Sequence, residues 1–257
     1  MLHVWLFWCC PALASSPSSQ PLHIATTLRV EHATAPISVD VAKPRFSWLL
    51  QHAERNQSQT AFRLQVKTQH TTTAPSLLVW DSGWVVSSKL FALYNGTSSS
   101  LLSDSDYSWS VQWRDRNNTT SAIANSTFST ALLNGNNSEI VMRDDVPGGQ
   151  PQWQWVSSVS NGSLNLYRAV LPFPLAAPPL RARLYISALG YYHSTINGVA
   201  TDQHRLGPQS TFPRRVLYDV WDVQPLLQAG CNTLGVRLGH GWSSSSHSRT
   251  HWDRMFV

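Results

Sequence analysis

Tyr107-Ser108-Trp109-Ser110-Val111-Gln112-Trp113 alternates without a break: Tyr107, Trp109, Val111 and Trp113 fall on one side of an extended chain, Ser108, Ser110 and Gln112 on the other. Successive side chains of a strand point to opposite faces, so this period of two predicts a β-strand with an aromatic face for a core and a polar face for water. The alternation recurs upstream. Phe46, Trp48 and Leu50 share one face, and Phe62, Leu64 and Val66 alternate with Arg63, Gln65 and Lys67, the pattern of an antiparallel sheet wetted on one side. Turn-rich breaks at 71–75, 95–100 and 115–120 separate these segments at spacings that suit a sandwich of about seven short strands.

Composition fits this reading. With 257 residues, 42% of them hydrophobic, the chain can bury one large core or two ordinary ones. Only 13% are charged, against about 25% in an average soluble protein, which excludes a long solvated helical bundle. Aromatic residues at 11% exclude a disordered chain. A net charge of +5 raises nucleic acid as a partner, because phosphate-binding surfaces carry basic stripes. Here the arginines stand singly, among them Arg29, Arg45, Arg168 and Arg237; Arg214 and Arg215 form the densest pair, and lysine occurs only at Lys43, Lys67 and Lys89. No nucleic-acid partner is expected.

Met1 to Cys10 is a short apolar run, and Ala12-Leu13-Ala14 offers a small-x-small cleavage pattern, so residues 1–21 read as a signal peptide and spacer of a secreted, extracellular protein. No other stretch approaches the roughly 20 apolar residues of a membrane span, so no membrane partner is expected. Cys9 and Cys10 would leave with the leader, and Cys231 is then a small buried residue or a turn residue. Glycosylation sequons occur at Asn56, Asn95, Asn117, Asn118, Asn125, Asn136 and Asn161, and each predicts an exposed position.

Residues 22–132 form the first β module in this reading. Residues 133–162 lose periodicity and collect Gly, Asn and Pro, the mark of a linker. A second β region, 163–257, has strands expected at Tyr167–Leu171, Arg181–Ala188, Tyr191–Ile196, Val216–Val223 and Thr233–Leu238. Asn197-Gly198 after an alternating run signals a tight hairpin, since both central positions of a type I′ turn need positive φ. Asp222 to Leu227 reads as a short helical turn closed by Gly230.

Several ordered motifs carry a family resemblance. RARLYISALGYYHSTINGVATD from Arg181, RVLYDVWDV from Arg215 and CNTLGVRLGHGW from Cys231 resemble the amino-terminal domain of α-L-rhamnosidases of glycoside hydrolase family 78. Upstream, Leu28-Arg29-Val30-Glu31, Pro44-Arg45-Phe46-Ser47-Trp48, Gln59-Thr60-Ala61-Phe62, Trp80-Asp81-Ser82-Gly83 and Tyr107 to Asp115 resemble the immunoglobulin-like or fibronectin type III-like module that opens those enzymes. The resemblance implies an all-β chain of two sandwiches, the second jelly-roll-like and incomplete at its C-terminus. It also implies a secreted enzyme that releases terminal α-L-rhamnose from rhamnose-containing glycosides or polysaccharides by inversion, with two carboxylates about 6.5–9.5 Å apart. In the family those carboxylates sit on an α/α barrel downstream of everything matched here, so no catalytic residue carries over and the chain alone is expected to be inactive. The rival reading is a free-standing carbohydrate-binding or adhesion protein.

The acids that are present make no convincing dyad. Glu31, Glu54 and Glu139 lie in different regions, and Asp104/Asp106 and Asp144/Asp145 lie in turns, where Asp bonds its own backbone. His240, His247 and His251 sit in a polar tail that is poor ground for the rigid ligand set of zinc. The resemblance implies a calcium-assisted rhamnose site just beyond the Asn197-Gly198 hairpin. Asp202 then takes the metal-ligand position, with a turn-capping aspartate as its alternative reading, Gln203 adds an amide oxygen, and Trp242 offers an aromatic face unless it is a buried tryptophan closing the strand; carboxylate and amide oxygens suit calcium. After Leu206-Gly207-Pro208 the family's Gly-Trp is replaced by Gln209-Ser210.

Overall fold

The computed structural model describes residues 23–69, 75–96, 101–133, 154–155, 165–170, 174–188, 191–201, 217–239 and 255–256. Over these the regular structure is almost entirely strand: β1 (Ile24–Val30), β2 (Arg45–Gln51), β3 (Ala61–Thr68), β4 (Leu78–Val86), β5 (Phe91–Leu93), β6 (Asp106–Arg114), β7 (Ala124–Ser129), β8 (Gln154–Trp155), β9 (Asn165–Val170), β10 (Arg183–Ile186), β11 (Tyr191–Ile196), β12 (Val199–Ala200), β13 (Asp219–Asp222), β14 (Thr233–Gly239) and β15 (Met255–Phe256). A single 3₁₀ turn spans Gln224–Leu226. The sheets run β1-β2-β5, β4-β3-β6-β7 and β12-β11-β14-β9, with two-stranded ribbons β10-β13 and β15-β8. The last ribbon takes Gln154 and Trp155 from the stretch expected to be linker. Contact density divides the chain into two compact units, one of Met1–Thr34, Arg45–Gly96 and Ser108–Ser126, the other of Ala35–Pro44, Thr97–Tyr107 and Thr127–Val257.

The first unit is organised by the face that alternation predicted. Trp109, Val111 and Trp113 of β6 are buried together with Phe46 and Trp48 of β2 and Phe62, Leu64 and Val66 of β3. Rings meet between the two sheets, Trp48 against Phe62 at 5.1 Å and Phe46 against Trp109 at 4.9 Å, in the edge and tilted geometries that aromatic quadrupoles favour. Gln59, 2% exposed, sits inside this packing. Its Oε1 accepts the Trp48 indole N–H at 2.9 Å, and its Nε2 donates to the carbonyls of Ser87 and Lys89 at 3.0 and 2.8 Å. One buried amide thus satisfies a core indole and two loop carbonyls that would otherwise be costly to bury.

The Trp80-Asp81-Ser82-Gly83 motif makes a bulge in β4, where the β3 register shifts between Arg63 and Gln65. Gly83 takes φ +61°, a conformation that suits glycine. Asp81 fixes the bulge by accepting from Arg63, Gln65 and the Gly83 N–H, and Ser82 Oγ accepts the Leu64 N–H at 2.8 Å. The Arg63 hydrogen bonds hold the Asp81 carboxyl well below the usual carboxylate range, against the opposing effect of burial.

In the second unit Ile186, Ala188, Tyr192, Val236 and Leu238 form the core, with Leu184, Trp221 and Leu234 packed around it. Asn197 and Gly198 both take positive φ, 52° and 82°, as the hairpin signal required. The Asn197 amide donates to Leu226 O and Asn232 Oδ1 and accepts the Thr233 N–H, while fully buried Asn232 donates in turn to the carbonyls of Gln228 and Gly230. This amide pair ties the hairpin to the 3₁₀ turn and to the start of β14. Cys231 is exposed, which sets aside the reading of a small buried residue. Asp104 and Asp106 also belong to this unit and pair with Arg181 and Arg183, the closest contacts at 2.6 Å.

At one end of the first unit His23 lies edge-on to Trp113, ring centroids 4.4 Å apart, and beside His52 at 4.6 Å. His52 Nε2 lies 3.4 Å from Asp115 Oδ2, and Asp115 Oδ1 accepts the backbone N–H groups of Asn117 and Thr119. Burial, reinforced by His52 and opposed by Asp115, lowers the His23 pKa. A histidine that binds its proton less tightly when folded weakens the fold as pH drops below its unfolded value of about 6.5.

Two outcomes follow for unfolding measured in urea. Gln59→Ala is expected to cost about 2–3 kcal/mol, since it strands a buried indole N–H and two carbonyls, whereas Val86→Ala, at a side chain 90% exposed, should change stability by less than about 0.5 kcal/mol. The wild-type chain should lose stability between about pH 7 and 5, and His23→Phe, which keeps a ring on Trp113, should flatten that slope; an unchanged slope would assign the pH dependence elsewhere.

Candidate functional site

The three residues expected to bind sugar and calcium, Asp202, Gln203 and Trp242, lie outside the described residues, as do Glu139, Asp144, Asp145, His240, His247 and His251. What is described is the platform leading to them. β11 and β12 form the hairpin whose last described residue, Thr201, donates its N–H to Ser194 O at 3.0 Å. On the core side Tyr192 OH bonds Asp219 and accepts from Trp221 Nε1 at 3.3 Å, which locks β11 against β13. Of the sequon asparagines, Asn56, Asn95, Asn117, Asn118 and Asn125 are exposed, and Asn136 and Asn161 lie outside the described residues.

The opposite face of the β12-β11-β14-β9 sheet carries an open groove of about 280 Å³ lined by Leu166, Arg168, His193, Thr195, Thr233 and Arg237, with Gly198 and Gly235. Its composition follows from the pleat. Tyr192, Ser194 and Ile196 turn to the core, so His193 and Thr195 turn outward; Val236 and Leu238 turn inward, so Gly235 and Arg237 face out. Register then sets one row of His193, Arg237 and Leu166 and a second of Thr195, Gly235 and Arg168. Gly235 contributes no side chain, which opens the middle of the second row. Sequence reasoning listed both arginines only as solitary charges; their convergence depends on β9 pairing with β14, a long-range register that no local motif announces.

The described acids are engaged structurally. Glu31 Oε1 accepts the Arg45 N–H. Burial would raise the Asp104 pKa, but hydrogen bonds from Arg181 and Tyr185 and the charges of Arg181 and Arg183 bring it below the usual range. Asp81 and Asp115 are lowered as well. A glycosidase acid needs the reverse, a carboxyl kept protonated near neutral pH, so the described carboxylates hold the fold.

His23, His52 and Asp115 bring potential ligand atoms within 4.8 Å of one another. The hydrogen bonding opposes a metal there. The Glu54 N–H donates to His52 Nδ1 at 2.9 Å, so in the neutral ring the proton resides on Nε2, the nitrogen facing Asp115. Nε2 therefore donates to the carboxylate and has no lone pair to offer a cation.

Comparison with known proteins covers most of the chain. Residues 25–134 match the family described as Rha78A-like, N-terminal immunoglobulin domain, and residues 177–256 match the alpha-L-rhamnosidase N-terminal domain. An alpha-L-rhamnosidase of Formosa agariphila is 27% identical over 234 residues, covering 86% of this chain and 23% of the relative. One from an Alteromonas species is 26% identical over 235 residues, 85% of this chain and 24% of the relative. The chain thus spans about a quarter of the length of these curated relatives. In structure, the alpha-L-rhamnosidase of Dictyoglumus thermophilum superposes with a TM-score of 0.76 at 28% identity over 93% of this chain and 27% of that one. The Aspergillus terreus enzyme shares the fold, with a TM-score of 0.68 at 21% identity over 91% of this chain and 26% of that one. The chain thus carries, in this order, the two amino-terminal domains of α-L-rhamnosidases and corresponds to the amino-terminal part of those relatives.

Proposed function

We propose that this chain is the carbohydrate-recognising part of an exported α-L-rhamnosidase whose full-length form removes terminal α-L-rhamnose from glycosides or polysaccharides. The carrying observation is the ordered pair of family domains, matched to relatives that are themselves alpha-L-rhamnosidases. The commitment of the described carboxylates to ion pairs and turns supports a role in binding rather than bond cleavage.

Asp202 and Gln203 follow directly on the hairpin that Asn197 and Asn232 hold in place. Their oxygens are the hard donors that calcium takes, and Trp242 is the aromatic side chain to lie against a sugar face. Calcium, when bound, supplies a cation that sugar hydroxyls can ligate; the chain's share is to position the Asp202 carboxylate and the Gln203 amide. Export and N-glycosylation belong to the same reading, supported by the apolar leader pattern and by five exposed sequon asparagines.

Chain recovered from the medium of a eukaryotic culture is expected to gain mobility on enzymatic deglycosylation and to be retained on a rhamnose-bearing resin in calcium. Chelation, or Asp202→Ala, should reduce retention by about tenfold or more, the scale of losing one charged ligand. Intracellular, unglycosylated chain would overturn export, and retention indifferent to both chelation and Asp202→Ala would overturn the calcium site.

A further inference from the structure

On the reading that the second unit recognises sugar, we infer that the groove on the outer face of β11, β14 and β9 takes an acidic saccharide, one whose ring carries a carboxylate or a sulfate ester. The observation behind this is how this unit treats its arginines. Four are described, Arg168, Arg181, Arg183 and Arg237. Arg181 and Arg183 are neutralised by Asp104 and Asp106, with contacts down to 2.6 Å. Arg168 and Arg237 are exposed, line one groove, and have no hydrogen-bond or ion-pair partner among the described residues.

The strand register makes those two neighbours. Arg237 pairs with Leu166 and Gly235 with Arg168, so the guanidinium-bearing positions are diagonal on adjacent strands, about 7–8 Å apart at the backbone. Like charges so placed repel, and no carboxylate lines the groove among the described residues to offset the repulsion. The sheet gains nothing in stability from the arrangement. A bound anion gains a great deal, because a guanidinium offers two parallel N–H donors that match the oxygens of a carboxylate or sulfate.

The remaining lining selects a saccharide over a bare ion. Thr195 and Thr233 present hydroxyls that can exchange hydrogen bonds with sugar hydroxyls, Leu166 gives an apolar patch for a ring face, and missing bulk at Gly235 leaves room between them. At about 280 Å³ the groove is at the lower end of small-molecule sites, the scale of a short sugar segment rather than a long chain. No Phe, Tyr or Trp side chain lines it among the described residues, so affinity rests on charge and hydroxyl contacts and should fall with salt.

The purified full chain can be titrated calorimetrically with three probes at fixed ionic strength: trigalacturonate, its methyl ester, and a sulfated galactose oligosaccharide, with sodium sulfate as a competitor. Binding of one or both acidic probes, none of the ester, and no displacement by equimolar sulfate ion are expected. Arg168→Gln and Arg237→Gln should each weaken binding by about tenfold, Arg237→Lys should weaken it less, and Arg29→Gln in the other unit should leave it unchanged. Equal affinity for acid and ester, no binding of either acidic probe, displacement by inorganic sulfate alone, or unaltered binding by folded Gln variants would each overturn the proposal. If a Gln variant fails to fold, the acid-against-ester comparison on the wild type still decides it. Rhamnose-resin retention measured in parallel separates the two readings: retention without acidic binding defeats the groove alone, and acidic binding without retention defeats the calcium-rhamnose site alone.

Discussion

The Gln59 amide sits where one side chain must satisfy three groups at once, the indole of Trp48 and the carbonyls of Ser87 and Lys89. Around it the aromatic face of β6 and the buried faces of β2 and β3 close on one another. A core this rich in tryptophan gains much from buried area, but each indole brings an N–H that must be accommodated. Trp48 is satisfied by Gln59, whereas the indole nitrogens of Trp109 and Trp113 have no hydrogen-bond partner among the described residues. The sandwich therefore depends on one well-placed amide and tolerates two unsatisfied indole donors elsewhere in the core, where packing offsets the loss.

The second unit is held by a different economy of forces. Its described core centres on Ile186, Ala188, Tyr192, Val236 and Leu238, and polar networks add specificity: the Asn197–Asn232 amides fix the hairpin, and the Asp104, Asp106, Arg181 and Arg183 cluster adds paired charge. Such networks stabilise only when nearly every member is satisfied. That condition makes Arg168 and Arg237 on the outer sheet face informative, because among the described residues they have no partner while Arg181 and Arg183 are neutralised.

Much of the architecture was legible from the chain because it is written in period-two alternation and turn chemistry, both local. Tyr107 to Trp113 bury every second residue as read, Asn197-Gly198 turns with both φ positive, and Gly230 at φ 88° follows the short helical turn. The motifs that carried the family resemblance proved to be structural: Gln59 satisfies the core, Trp80 to Gly83 make the bulge, and Asp115 caps its turn. Resemblance built on such residues reports the fold faithfully and is silent about chemistry. The groove was not legible, since Arg168 and Arg237 are 69 positions apart by their numbers and meet only through the β9–β14 register. The expected ligands Asp202, Gln203 and Trp242 were named by resemblance and not by any pattern of spacing, and they lie outside the described residues.

Carboxylates that hold a fold and carboxylates that cleave a glycosidic bond meet different demands. Catalysis needs a pair with pKa values driven apart, one held protonated; Asp81, Asp104 and Asp115 are instead all driven down, by guanidinium, hydroxyl and backbone donors. Ionised acids locked into ion pairs and turns serve the fold. The most direct measurement is the rate at which the purified chain releases the chromophore from an aryl α-L-rhamnoside between about pH 4 and 8, the range in which glycosidase carboxyls titrate. Release indistinguishable from buffer is expected at every pH, and turnover that follows a bell-shaped pH profile and co-purifies with the chain would contradict a non-catalytic role.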